Sequence, residues 1–291
     1  MKKRHAVAVL ALAAALPLGA CGDDDDDDGG SGGSGGSEPT AVSFELKPAG
    51  KKATMEGPSS VKAGVARLTL QNSTKDDGGV QLVRIEGNHT SEEVLKAGEG
   101  WGDKGKALPE WMRLVGGVPN TVAGKSSTVT QSLAPGKYVA ADLQSNAVAE
   151  FDVTGEEAGE LPETTGRIDA SEYSFTTTGL KAGRSEVVFD NKGKEPHFVV
   201  GLPIKPGKTI ADVRKSLAEE GETEETPSEE EDPVEENDPS VFDSPVFDGG
   251  GKQVLSLNLK KGKYALVCFI PDRKGGPPHV AKGMISEAVV E

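Results

Sequence analysis

Four side chains in the last third of the chain, His197, Cys268, His279 and Met284, stand in the order His…Cys…His-x4-Met. Two imidazoles and a thiolate, with a thioether as a weak fourth donor, suit a single type 1 copper ion. The soft thiolate stabilises Cu(I) and the imidazoles stabilise Cu(II), so a fixed compromise geometry lets one electron pass with little rearrangement. A plainer reading competes, because a lone buried Cys is more often an inert small hydrophobe and a lone Met is usually core. Counting separates the two readings. The chain has two cysteines and four histidines. Cys21 closes an export motif, so Cys268 has no disulfide partner, and a leftover thiol in an oxidising compartment needs a reason. His5 lies in the export segment, and His89 sits beside the start of an expected surface helix as a solvated residue. The remaining two histidines both fall in the motif.

A Cys at a strand end, followed by a loop carrying His and Met, can turn back on one ion if a neighbouring strand delivers the other His. The chain supplies such strands. Aromatic residues are scarce while Gly and Pro are frequent, and short β-branched runs between turns argue for sandwiches rather than a helical bundle. Beyond residue 37 there is room for two domains of ordinary size.

An internal repeat divides that length. Leu133-Ala-Pro-Gly-Lys-Tyr138 matches Leu259-Lys-Lys-Gly-Lys-Tyr264, and Val61-Lys-Ala-Gly64 matches Leu180-Lys-Ala-Gly183. Each of the latter leads into an alternating strand, Ala66–Leu70 or Glu186–Phe189, that ends near an Asn, Asn72 or Asn191. Strands Val80–Ile85 and His197–Leu202 follow, then a short helix in each half. Thr90-Ser-Glu-Glu93 is a capping box opening the first helix; Thr209 opens the second, with Ile210, Val213 and Leu217 at core-facing spacing. The expected fold is therefore all-β: two tandem Greek-key β-sandwich domains, each with a short helical insertion. The domains span residues 38–155 and 167–291, separated by a linker at 156–166. Residues 219–239, rich in Glu and Pro, read as a disordered acidic insertion ahead of strand Gln253–Leu259. Aligning the repeats sets Gln81 opposite His197 and Asp142 opposite Cys268, with no His or Met in Leu143–Phe151. The first half is thus expected to keep the frame without the metal, with Trp101, Trp111 and Met112 packing its core or offering a partner surface.

The second half resembles a cupredoxin of the plastocyanin and nitrite-reductase type. Asn191-Lys-Gly-Lys-Glu-Pro-His197 resembles the first-ligand loop, Gly262-Lys-Tyr264 with Cys268 the strand delivering the thiolate, and His279-Val-Ala-Lys-Gly-Met284 the closing His-x4-Met. The resemblance implies one type 1 copper in the second domain, bound by His197, Cys268, His279 and Met284, and an exposed His279 edge as electron port. Two departures stand out. The ten residues between Cys268 and His279 exceed the plastocyanin loop, and Phe198 occupies a position where many members have an Asn bracing the ligand loops. Val267, Phe269 and Ile270 are expected to keep water from the thiolate, and Pro271, Pro277 and Pro278 to stiffen the loop.

Residues 1–20 read as a signal peptide, with basic Lys2, Lys3 and Arg4 ahead of the apolar run Ala6–Leu16. Leu18-Gly-Ala-Cys21 resembles a bacterial lipobox, which implies lipidation of Cys21 and a membrane anchor on the outer face of the cytoplasmic membrane. Residues 21–37, six consecutive Asp and then Gly/Ser, read as a tether. The net charge of −15 is concentrated in that run and in the acidic insertion, leaving a neutral body without the basic stripe that nucleic-acid binding requires. The histidine next to the thiolate ligand that couples the two coppers of a copper enzyme is absent, since Val267 and Phe269 flank Cys268. The expected function is a non-enzymatic, membrane-tethered electron carrier serving a redox protein of the cell envelope. A copper-delivery lipoprotein and a copper-free interaction module are the alternatives.

Overall fold

The computed structural model describes residues 38–102, 105–220 and 232–291. The signal segment, Cys21, the tether and residues 221–231 of the acidic insertion lie outside the described residues. The all-β expectation holds, and two short helices accompany the strands.

In the first half, β1 (Thr40–Ala49) forms a hairpin with β2 (Lys52–Glu56) and runs parallel to β4 (Gly64–Asn72), which pairs antiparallel with β7 (Ser126–Leu133). The facing sheet has the order β3 (Ser60–Lys62), β9 (Ala147–Thr154), β8 (Gly136–Asp142), β5 (Gly78–Ile85), β6 (Met112–Thr121). The second half repeats this plan. There β10 (Gly166–Ser171) forms a hairpin with β11 (Ser174–Thr178) and runs parallel to β12 (Gly183–Asn191), which pairs antiparallel with β15 (Lys252–Leu259). Its smaller sheet has the order β14 (Phe242–Asp243), β13 (Val200–Pro203), β16 (Gly262–Val267), β17 (Ile285–Val290). Successive strands cross between layers, as β4 to β5 and β12 to β13, which is the connection pattern expected of Greek keys.

The local sequence accounts for this plan. Alternation along β4 buries Ala66, Leu68 and Leu70 on one face, where they meet Leu82, Tyr138, Ala140 and Phe151 of the facing layer in one apolar cluster. The repeated Gly-Lys-Tyr turn needs its glycine: Gly136 and Gly262 have φ of 150° and 146°, a region costly for residues with a Cβ. The expected capping box forms, and an equivalent pair of bonds opens the second helix. Glu93 N–H donates to Thr90 Oγ1 at 3.2 Å, and Thr90 N–H to Glu93 Oε2 at 2.9 Å, at the start of α1 (Ser91–Gly102). Thr209 and Asp212 do the same at the start of α2 (Ile210–Glu220), where Val213 is buried and Ile210 and Leu217 pack beside it.

Three features depart from expectation. The two layers nearest the repeat boundary are one sheet: β15 pairs antiparallel with β7 through Gln253–Gln131, Val254–Thr130 and Leu255–Val129, giving eight strands that run through both halves. The C-terminal end of the expected disordered insertion is ordered. Val234 is buried against Ile204, Glu235 N–H donates to Pro203 O at 2.9 Å, and Lys260 pairs with Glu235 and Asp238, because Val234 supplies an apolar anchor that a purely acidic run lacks. His89 is half-buried rather than solvated, stacked on Trp111 with centroids 3.9 Å apart.

Candidate metal centre

The centre is assembled from two strand ends and a loop. A buried Asn191 closes β12. Its Nδ2 donates to Glu195 O at 2.8 Å and Phe247 O at 2.9 Å, while its Oδ1 accepts from Gly193 N–H at 3.0 Å. This fixes the turn that delivers His197, whose backbone exchanges hydrogen bonds with Phe247. At the end of β16 comes Cys268. The loop beyond it closes on the strand through His279 N–H to Ile270 O at 2.9 Å and Val280 N–H to Cys268 O at 2.8 Å. A single 3-10 turn, His279–Lys282, ends at Gly283 with φ of 93°, and that left-handed residue lets the chain reverse into Met284.

The side chains converge. His197 Nδ1 and His279 Nδ1 lie 3.1 Å apart, Cys268 Sγ is 3.4 Å from His279 Nδ1 and 4.0 Å from His197 Nδ1, and all three residues are fully buried. It is the one cluster of three His, Cys, Asp or Glu ligand atoms among the described residues, with its atoms within 4.8 Å of one another. Met284 is fully buried in the same core cluster as Cys268. Its N–H donates to His279 O at 2.9 Å and its carbonyl accepts from Cys268 N–H at 3.4 Å, so its main chain abuts both ligands.

Electrostatics favour neutral imidazoles and a protonated thiol in the metal-free protein. Burial, aided by the neighbouring His279, pulls His197 down to about 4. Burial also lowers His279, against the opposing pull of Asp272. Burial pushes the Cys268 thiol up to about 12, although the backbone N–H groups of Phe198 and Ile270 oppose the rise. Apolar surroundings disfavour each charged form, and a bound cation would reverse this for the thiol. The donor set fits copper: two imidazole nitrogens and a sulfur face one another, shielded from water.

Around the ligands lies a shell that sequence reasoning missed. Asp272 Oδ1 accepts from His279 Nε2–H at 2.9 Å and from the Tyr173 hydroxyl at 3.0 Å, and Lys282 Nζ reaches both the Asp272 carboxylate and, at 3.0 Å, the Tyr173 oxygen. Tying up Nε2–H leaves the Nδ1 lone pair of His279 for the metal. Although burial opposes it, hydrogen bonds from Lys282, Tyr173 and His279 hold Asp272 below the usual carboxylate range. His197 Nε2, by contrast, is buried without a hydrogen-bond partner, 3.8 Å from Glu172 Oε1.

Other expectations need correcting. His279 is 0% exposed, so its edge is no open electron port: Tyr173, Asp272 and Lys282 cover it. Phe269 is 40% exposed and does not shield the thiolate, and Val267 packs in a separate cluster, whereas Ile270, with Phe198, packs against the cluster that holds Cys268. The brace lost with an Asn at Phe198 is replaced by Arg273, whose N–H donates to Glu195 Oε2 at 2.7 Å, tying the long loop to the first-ligand turn.

The repeat alignment also shifts. Tyr138 pairs with Arg84, and Tyr264 with Pro203. Six residues back along each strand lie Gly78 and His197, so Gly78, not Gln81, occupies the imidazole position. Four residues on from the tyrosines are Asp142 and Cys268, as expected. The error arose because regular pairing starts at Gly78 in one half and only at Val200 in the other, so the strand starts do not correspond.

No protein-family model matches the chain, and no curated protein sequence matches it. Among solved structures, the dithionite-reduced auracyanin of Roseiflexus castenholzii is 20% identical over 43% of this chain and 94% of that one, with a TM-score of 0.25. Auracyanin B is 16% identical over 46% and 93%, with a TM-score of 0.26. Lac15 from a marine microbial metagenome is 11% identical over 87% and 67%, with a TM-score of 0.21. The centre therefore rests on its own geometry: two imidazoles and a thiol, buried and convergent, in a β-sandwich half whose ligand loops resemble those of cupredoxins.

Proposed function

We propose that the second half binds one copper ion through His197, Cys268 and His279, with Met284 as the weak axial donor, and that the protein carries single electrons. The observation that carries this is the burial of both Nδ1 atoms and Sγ within 4.8 Å. Bound copper would supply a Cu(II)/Cu(I) couple. The protein's share is to hold the two imidazoles through Asn191 and Asp272, keep the thiolate dry, and resist the change of shape that either oxidation state would otherwise prefer. A buried, cross-braced site favours retention of metal, which suits a carrier better than a delivery protein. Catalysis at further coppers would need more imidazoles, and the remaining described histidine, His89, stacks on Trp111 far along the sequence from the ligands.

The setting is part of the same proposal. Leu18-Gly-Ala-Cys21 would place the protein in the cell envelope, lipid-anchored at Cys21 to the outer face of the cytoplasmic membrane, where a redox protein is its partner. Among the described residues no helix is long and apolar enough to cross a membrane. Two measurements test the whole. Cu(II) added to the purified body should give an intense thiolate-to-copper visible band at one equivalent; a colourless protein at full loading refutes the copper assignment. Labelled fatty acid should enter the full chain in a bacterial host and not Cys21→Ala, and equal labelling of both refutes the anchor.

A further inference from the structure

The ten-residue stretch between Cys268 and His279 also reaches across to the metal-free half. Trp101 Nε1–H donates to Asp272 O at 2.8 Å, Leu108 N–H donates to Arg273 O at 2.8 Å, and Arg273 Nη2 donates to Pro109 O at 2.8 Å and to Met112 O. Ile270 packs on the cluster containing Val83, Trp101 and Met112. Backbone meets backbone at Gly275, where a Cβ would lie 2.0 Å from Gly105 O. These contacts all come from one segment, Trp101 to Met112, together with the strand it covers. Three of the four hydrogen bonds fall on Arg273, next in sequence to Asp272, and the fourth, from Trp101, holds the Asp272 carbonyl itself, while the Asp272 carboxylate is bonded to His279 Nε2.

We infer that Trp101 is a positioning residue for the metal centre: by holding the Asp272 backbone from the other half of the chain, it sets the carboxylate that orients His279 and closes the ligand loop. This rests on the copper reading above. The long loop then has a physical purpose, since its residues Ile270, Asp272, Arg273 and Gly275 reach the first half. The metal-free half becomes a clamp on the loop, and the His279 edge is covered by the Asp272 carboxylate that this loop carries, with Lys282 and Tyr173 bonded to it.

The test uses the full chain with Trp101→Phe, which keeps an aromatic ring and loses the N–H donor, and with Gly275→Ala, which forces the two backbones apart. In metal-free protein, amide exchange at Asp272 to Gly276 should quicken about tenfold, in line with loss of a buried hydrogen bond. In Cu(II)-loaded protein, withdrawal of copper by excess chelator should quicken by a similar factor, and the EPR hyperfine splitting and reduction potential should move. Cooperative thermal unfolding confirms that each variant is folded, and Gly275→Ala carries the test if Trp101→Phe is not. Coloured wild type whose folded variants release copper within twofold of its rate, with unchanged EPR and potential, overturns the inference while the copper reading stands, even if loop exchange quickens. Wild type that stays colourless removes the copper reading and this inference together.

Discussion

Two equivalent corners of the repeat use the same scaffold to opposite ends. Asn72 and Asn191 are both fully buried, and both donate to the carbonyl four residues on, to Asp76 O at 2.9 Å and Glu195 O at 2.8 Å. Each also ties its turn to a distant carbonyl, Thr121 O or Phe247 O. Six residues beyond, one half has Gly78 and the other His197. Across the sheet, one has Asp142 and the other Cys268. In the first half the carboxylate turns inward on the backbone, accepting from Gly79 N–H at 3.1 Å, Ser145 N–H at 3.0 Å and the Ser145 hydroxyl. In the second, the thiol and the two Nδ1 atoms face one another. A buried polar corner is stable when its partners are built in; a corner whose donors are left facing each other is arranged for something added.

The sharpest break in that comparison is Cys268→Ser, which should abolish the visible band entirely, while Asp142→Cys should create none because Gly78 offers no imidazole. A band in the second variant would overturn the register. Next is pH. In the metal-free protein His197 has a folded pKa of about 4, below the ordinary value near 6.5. The unfolded state therefore binds more protons between those values, and stability should fall as pH drops from 6.5 toward 4, by up to about 3 kcal/mol. His197→Gln should flatten that slope in chemical denaturation, and copper should suppress it. In the first half, Asp142→Ala strands two part-buried N–H groups and should cost about 1 kcal/mol without altering copper binding; equal stability would mean that the carboxylate is not a structural acceptor. Smallest is Met284→Leu, expected to retain copper and raise the reduction potential, since a weak axial donor favours Cu(II). Loss of copper would make Met284 more than axial.

The sequence was readable where a residue's own chemistry or a local turn decides the outcome. Cys268 and the two histidines declare themselves as donors, Gly136 and Gly262 as turn residues, and Thr90 and Thr209 as helix caps. What it did not disclose depends on contacts between distant segments. Nothing near Asp272 in sequence indicates that Trp101, 171 residues away, will hold it, so the covered His279 edge and the replacement brace by Arg273 were out of reach. Gln81 misled for a related reason: its amide is occupied by Val246, donating to Val246 O at 3.0 Å and accepting from Val246 N–H at 2.9 Å. It is a stitch between the halves where strand starts suggested a vanished ligand.

The shared eight-stranded sheet also orders events in time. Strand β7 is complete only when β15 arrives, more than a hundred residues later in the chain. A nascent or truncated first half therefore presents a β7 edge whose N–H and C=O groups would template another strand. The copy of that edge on a neighbouring chain is the nearest match. Quick synthesis of the second half, or a chaperone that covers β7 meanwhile, would be what separates a monomer from a domain-swapped assembly.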